Sequence, residues 1–359
     1  MTSKEKAMRG NFALRWVTWL SVALFAVLLP QVAVAAEDLA KQQAERQMTQ
    51  PLNNAPLWRE VRKGENPYQT TQVRGIETNI LVQPAGETWR QIHSGPLPLY
   101  GGLLLIAMLL LIFGYYRWKG PLRLHEKPTG RLIERFSDWE RLVHWSAAIS
   151  FVILAVSGLI LTFGKYLILP VFGYTLFSWL AIIGKNLHNF VGPLFIFCVV
   201  VVFVTYVKDN VWRVADFAWL TKAGGLLSGE HVPAGRFNAG EKIWFWFAVT
   251  LLGLVAGVSG LVLDFPNFGQ ARFVMQLANV VHAITAMLFI AVALTHIYMG
   301  TLGTDGAYEA MRTGYVDETW AREHHQIWYE EVKAGRARQR FADDVPAEIK
   351  MQVAQATKA

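Results

Sequence analysis

Five stretches in which nearly every residue is apolar, at 97–116, 142–163, 187–207, 243–263 and 280–300, alternate with connections that carry most of the charge between them. Each is close to the ~20 residues a helix needs to cross a hydrocarbon layer about 30 Å thick. Backbone N–H and C=O groups find no water there, so a helix that satisfies them internally is the expected form. The pattern predicts an all-α fold, a multi-helix transmembrane bundle. Ahead of these stretches, residues 1–36 carry Lys4, Lys6, Arg9 and Arg15, a short apolar run at 16–29, Pro30 and the small residues Ala33-Val34-Ala35-Ala36. That order predicts a secretory signal peptide with an A-x-A cleavage site, with an uncleaved anchor as the other reading. Residues 37–96 are polar and punctuated by Pro51, Pro56, Pro67 and Pro84. They are expected to form loops with a short strand at 78–82, and they carry no recognisable chemistry.

Charge turns the pattern into a topology. The link 117–141 holds Arg117, Lys119, Arg123, Lys127, Arg131, Arg135 and Arg141, and the link 208–242 is again basic; 164–186 has only Lys165 and Lys185, and 264–279 only Arg272. By the positive-inside rule the basic links and the tail are cytoplasmic, and 37–96 is periplasmic. The expected division is a signal peptide at 1–36, a periplasmic segment at 37–96, an extra transmembrane helix at 97–117, a cytoplasmic link at 118–141, a core at 142–300 and a cytoplasmic tail at 301–359. With 53% hydrophobic and 17% charged residues the chain is not built as a soluble domain. Its net charge of +7 lies between apolar segments instead of on one basic face, which argues against nucleic acid. The single cysteine, Cys198, allows no disulfide framework, no C-x-x-C-H haem attachment and no iron–sulfur cluster. Any redox metal must be held by histidine.

His282 and His296 stand fourteen residues apart in the last apolar stretch. On a helix that is about 21 Å along the axis and about 40° in azimuth, so both imidazoles face the same neighbours at different depths. His144 opens the second stretch and His188 the third. The topology places His144 with His296 near the cytoplasmic face, and His188 with His282 near the periplasmic one. One buried histidine is explained by an interhelical hydrogen bond, whereas four pairing by depth point to ligation. Two ligands per level suit a six-coordinate haem iron better than tetrahedral zinc, and such an iron transfers electrons. The second ring nitrogen of each histidine is expected to donate to a backbone carbonyl. Gly158, Gly192 and Gly260 open helix faces to a macrocycle or a neighbouring helix, and Gly253 with Gly257 fits helix packing. Arg141 and Arg272 suit haem propionates or act as snorkelling anchors. His93, His125, His231, His324 and His325 lie in polar links or the tail, are expected at the solvated surface, and are excluded as haem ligands.

Several stretches resemble one family. They are Glu134-Arg135-Phe136-Ser137-Asp138-Trp139-Glu140-Arg141-Leu142-Val143-His144-Trp145, Leu187-His188-Asn189-Phe190-Val191-Gly192-Pro193, Arg236-Phe237-Asn238-Ala239-Gly240-Glu241-Lys242, Val281-His282-Ala283, His296-Ile297-Tyr298-Met299 and the tail from Gly314 to His325. Together, over about residues 130 to 335, they resemble the cytochrome b (gamma) subunit of membrane-bound respiratory formate dehydrogenase, in a longer form with a signal peptide and periplasmic extension. The resemblance implies a four-helix di-haem core plus one N-terminal helix in a bacterial inner membrane. It implies two haem b groups: one on His188 and His282, receiving electrons from an iron–sulfur beta subunit, and one on His144 and His296, delivering them to menaquinone or ubiquinone. The quinone pocket would lie at Asn238, Gly240, Glu241 and Lys242, where Asn238 and Glu241 also have the form of a helix capping box. A molybdenum or tungsten alpha subunit would hold the formate-oxidising site, for which this chain has no motif, and a higher-order oligomer is left open. The alternatives are the related cytochrome of nickel–iron hydrogenase or of a thiosulfate or polysulfide reductase, a transporter with histidine proton relays, and a structural anchor.

Overall fold

The computed structural model describes residues 62–63, 84–229, 231–342 and 344–356. The expected signal peptide at 1–36, the strand at 78–82 and most of 37–96 lie outside the described residues. The chain divides into two compact units: residues 1–83 with Val156–Asn186, and Pro84–Ala155 with Leu187–Ala359.

The architecture is an all-α multi-span membrane bundle with five long apolar helices. The first span, Ala85–Lys119, consists of α1 (Pro84–Ser94) and α2 (Pro96–Lys119). It is followed by α3 (Asp138–Leu167), α4 (Leu169–Tyr206), the short α5 (Val214–Thr221), α6 (Ala239–Asp264) and α7 (Arg272–Gly303). The helices outrun the apolar stretches that signalled them. Residues 164–186, read as a link, are almost wholly helical, and Gly173 at φ 77° marks the kink in α4. Lone lysines such as Lys165 and Lys185 do not end a helix, because a long aliphatic stem can carry the charge to the polar interface. Within the first unit, Gly164 lets the Phe177 ring approach so closely that a Cβ would lie 2.7 Å from it.

In the second unit α7 is the central element. Along α6, Gly253 and Gly257 bring the backbone against α4: added Cβ atoms would stand 3.2 Å from Val199 and 2.8 Å from Ile196. Helix packing therefore accounts for this glycine pair. The additional helix α2 lies along α7, with Gly101 against Met287 and Tyr115 and Tyr116 edge-on to Tyr298. Trp89 of α1 donates to Asn279 Oδ1 at 3.3 Å. Leu103, Leu110 and Leu111 on α2 are exposed, as a lipid-facing surface requires.

The polar links and the tail build a cap that hydropathy did not reveal. A three-stranded antiparallel sheet has the order β2-β1-β3, with β1 (Leu132–Glu134), β2 (Tyr315–Asp317) and β3 (Phe341–Ala342). Ile133 pairs with Val316 on one side and Phe341 on the other. Around it stand α8 (Ala307–Thr313), α9 (Glu318–His324), α10 (Gln326–Lys333) and α11 (Ala347–Ala356). Ile133, Phe136, Tyr206, Phe245, Val316, Trp320 and Trp328 share one buried cluster, so the cap and the ends of α4 and α6 form a continuous core. Two buried arginines brace it. Arg135 donates to the Arg236 carbonyl at 3.0 Å and Arg236 to the Arg135 carbonyl at 2.6 Å, while Arg236 also pairs with Glu140 at 2.9 Å and Asp209 at 2.5 Å.

Asp317, buried at the end of β2, caps α9 through Thr319 N at 2.8 Å and also accepts from the backbone N–H of Thr129 and Gly130 at 3.1 and 2.8 Å. Replacing it by alanine removes a cap and leaves backbone donors unpaired, and is expected to cost about 2 kcal/mol. Thermal unfolding of the detergent-solubilised D317A chain should show a lowered midpoint. A midpoint equal to the parent's would refute this role.

Candidate metal centres

Helix α7 carries His282, Phe289 and His296 at seven-residue intervals. Seven residues are two turns less about 20°, so all three project from nearly one face. The structure brings His144 of α3 beside His296, with ring centroids 6.3 Å apart and planes at 52°. It brings His188 of α4 beside His282, at 6.0 Å and 79°. Two imidazoles bound to opposite sides of one metal, with bonds of about 2.0 Å, have centroids about 6 Å apart. Both pairs thus have the separation that bis-histidine ligation requires, and the donor set fits a haem iron.

Helix α6 supplies none of these histidines but orients two of them. His282 Nδ1 lies 2.9 Å from the Ala256 carbonyl and 3.3 Å from Ser259 Oγ. The carbonyl accepts only, so Nδ1 carries the hydrogen and Nε2 keeps its lone pair for a ligand. Gly260 makes this possible, because a Cβ there would stand 3.1 Å from the His282 ring. At the other level the Trp244 indole stacks on His296, centroids 4.2 Å apart and planes within 3°. Trp244 begins a π-helical stretch, Trp244–Leu252, and a second, Met299–Gly303, follows His296. Such wider turns re-aim side chains and often mark functional positions. His144 differs from His282: its Nδ1 is buried with no partner among the described residues. Between the two levels Phe151, Phe195 and Phe289 fill the interior, with Phe151 and Phe289 4.7 Å apart.

Sequence reasoning marked the four histidines and Gly260 but missed Trp244, Ser259, Ala256 and Phe289. Phe289 was legible, since it stands midway between His282 and His296. The contacts from α6 were not, because nothing in the sequence sets the register of α6 against α7. Arg141, weighed as a propionate partner, donates to the Thr313 carbonyl at 2.7 Å and pairs with Asp138 at 3.2 Å.

The loop entering α6 is rigid. Asn238 Oδ1 accepts from Glu241 N at 2.9 Å and Glu241 accepts from Asn238 N at 2.8 Å, so the capping box is formed. Glu241 also pairs with Arg135 at 3.0 Å. Gly240 lets the Trp219 ring lie over the loop, where a Cβ would be 3.0 Å from it. Lys242, only 1% exposed, donates to Asp216 at 2.6 Å and to the Val211 carbonyl at 2.9 Å.

Of the histidines expected at a solvated surface, His93, His125 and His231 are exposed, whereas His324 and His325 are not. His325 is buried, with Nδ1 2.7 Å from the Gly235 carbonyl; burial and then the nearby Arg135 charge push its pKa well below the ordinary value. Burial, followed by the His325, His231 and Arg135 charges, lowers His324 to about 3. Both are neutral at physiological pH. His325 is interior and His324 half-buried because the tail folds into the cap instead of trailing into water. His125, His231 and Glu323 place possible ligand atoms within 4.8 Å of one another, a cluster able to hold a metal ion.

Comparison with known proteins adds an independent line. The family described as prokaryotic cytochrome b561 matches residues 135–314. The chain is 33% identical over 210 residues to the cytochrome b556(fdo) subunit of formate dehydrogenase from Escherichia coli, covering 56% of this chain and 93% of that protein. It is 29% identical over 227 residues to the nitrate-inducible cytochrome b556(Fdn) subunit from the same organism, covering 60% and 98%. The cytochrome b556 subunit from Haemophilus influenzae is 27% identical over 202 residues, covering 53% and 79%.

The buried pair gives a test of what fixes the loop. Lys242→Met leaves Asp216 charged and unpaired in the interior, and breaking such a pair costs about 3–5 kcal/mol. The double variant K242M/D216L should recover most of that loss in thermal unfolding. A double variant as unstable as K242M would show that Lys242 acts through something other than this pair.

Proposed function

Because this chain belongs to the prokaryotic cytochrome b561 family, we propose that it is the membrane cytochrome b subunit of a formate dehydrogenase complex. In this reading it takes electrons from an iron–sulfur subunit, itself fed by a molybdenum or tungsten formate-oxidising subunit, and passes them to menaquinone or ubiquinone in a bacterial inner membrane. The observation that carries the reading is the pairing of four imidazoles at two levels of one bundle, centroids 6.3 and 6.0 Å apart, in a chain whose relatives are named cytochrome b556 subunits. His188 with His282, and His144 with His296, would each hold one haem b. A haem held by two imidazoles would supply one-electron transfer at each level.

The chain's own groups have definite tasks in this scheme. The Ala256 carbonyl holds the His282 tautomer, and Trp244 fixes the plane of His296. The aromatic floor around Phe289 keeps water out of the space between the levels. The basic links 117–141 and 208–242 put the His144/His296 level at the cytoplasmic side and residues 37–96 in the periplasm. Quinone would bind beside that level, at the loop of Asn238, Gly240, Glu241 and Lys242. The cap uses Asn238 Oδ1, which leaves the amide NH2 to donate to a quinone carbonyl. Glu241, 34% exposed, is the group that can exchange protons with water, whereas buried Lys242 is a positioning residue that holds the loop.

His282→Ala should lower haem content from two to one per chain and leave the spectrum of the second haem intact, and His144→Ala should do the converse. A purified parent chain with no protohaem, or an H282A chain with two unchanged haems, would overturn the ligand assignment. Formate added to native membranes should reduce the haem, with iron–sulfur and molybdenum or tungsten subunits copurifying. Copurification with nickel–iron hydrogenase subunits would move the reading to that partner. Asn238→Ala should raise the KM for quinone about tenfold, the worth of one hydrogen bond, with the haem spectra unchanged. An unchanged KM would remove Asn238 from the pocket.

A further inference from the structure

Three side chains far apart in sequence converge in the cap, outside the four-histidine core. His125 comes from the link before α3, His231 from the link before α6, and Glu323 from α9. His231 Nε2 lies 3.0 Å and His125 Nδ1 3.7 Å from the same oxygen, Glu323 Oε2, and the two ring nitrogens face each other in close contact. The carboxylate is held in place from behind: Oε2 accepts from the His125 backbone N–H and Oε1 from that of Glu126, each at 2.9 Å. The His324 ring stands edge-on to His231, centroids 5.4 Å apart, and limits its swing.

This arrangement has a lone-pair problem. A carboxylate accepts only, and each neutral imidazole turns one nitrogen inward. Space between the two nitrogens admits a single N–H, so one ring donates a hydrogen that the other ring nitrogen and the carboxylate oxygen must share, whereas a cation at the centre engages all three atoms at once. Two imidazoles and one carboxylate favour a borderline divalent metal over magnesium or calcium, which take oxygen sets. Ligands around one tetrahedral zinc stand about 3.3 Å apart. The two distances to Glu323 straddle that value, while the two ring nitrogens are closer than that and would move apart on binding, which the exposed His125 side chain allows. Glu323 is buried and His125 is 63% exposed, so the fixed ligand lies inside and the adjustable one outside, with the fourth position open to water.

We propose that His125, His231 and Glu323 form a binding site for a divalent transition metal of the zinc type, with water as fourth ligand. The ion ties two links and the tail together, clamping the cap by a bond that none of the three segments makes alone. The site is separate from the haem levels and does not depend on which partner the chain serves.

The test uses the full-length chain with its cofactors in detergent, carried on a histidine-free affinity tag, stripped with chelator and titrated with Zn2+. The expected result is one zinc per chain, a rise in thermal midpoint on binding, and an X-ray absorption signature of mixed nitrogen and oxygen ligands. H125A and H231A should each weaken zinc binding by more than the roughly 10- to 100-fold that outer-shell partners are worth. Their circular dichroism and haem content should match the parent's. H125A is the cleaner variant, because its side chain is exposed and contributes little packing. Zinc bound equally well by the parent and by H125A/H231A, or a parent that takes up no zinc and shows no shift in midpoint, would overturn the proposal and leave a shared proton between the two imidazoles.

Discussion

The fold is organised by what one helix must present. Helix α7 carries two imidazoles fourteen residues apart on nearly one face, with an aromatic ring midway, and every neighbouring element is placed by that face. Helices α3 and α4 bring one histidine each to opposite ends of it. Helix α6 brings none, and so packs closely enough for its Ala256 carbonyl, Ser259 hydroxyl and Trp244 ring to set the histidines' orientation. The glycines follow from the same demand. Gly253 and Gly257 admit α4, and Gly260 admits the His282 ring itself. A polar ring in an apolar interior is costly unless its nitrogens are engaged, and for His282 it is α6, the helix without a histidine of its own, that engages Nδ1.

The cap solves a different problem with charge. Its buried arginines are paired twice over, with carboxylates and with each other's backbone carbonyl, which is what allows guanidinium groups to leave water. Because Arg135, Glu140, Asp209, Arg236 and Glu241 come from three stretches of chain, this network fixes the loop at the start of α6 relative to the ends of α3 and α4. Lys242 and Asp216 extend the same logic to α5. The loop beside the His144/His296 level is therefore stiff, as a group that positions a small molecule should be. The cap draws on one atom of Asn238, its Oδ1, and so does not compete with the quinone contact proposed for the amide nitrogen.

The membrane-spanning architecture and the histidine pairs could be read from the chain, because hydrocarbon imposes a long, uniform apolar pattern and a helix converts residue spacing directly into depth. The limits of the helices could not be read so well. A hydropathy pattern reports where lipid is, not where hydrogen bonding stops, and so α3 and α4 continue through residues that looked like a link. The cap was the least legible part. Its strands are two or three residues long, too short for an alternating pattern, and they pair residues separated by nearly two hundred positions, as Leu132 does with Asp317.

The sequence by itself determined the five spans, the equal-face placement of His282 and His296, and the absence of any thiolate ligand set, since these follow from local spacing and composition. Only the tertiary structure decided which atoms orient the imidazoles, that His325 is interior, that Lys242 is locked to Asp216, and that His125 and His231 meet at Glu323. Those outcomes depend on the register of one helix against another and on long-range closure of the tail, which no local pattern of side chains encodes.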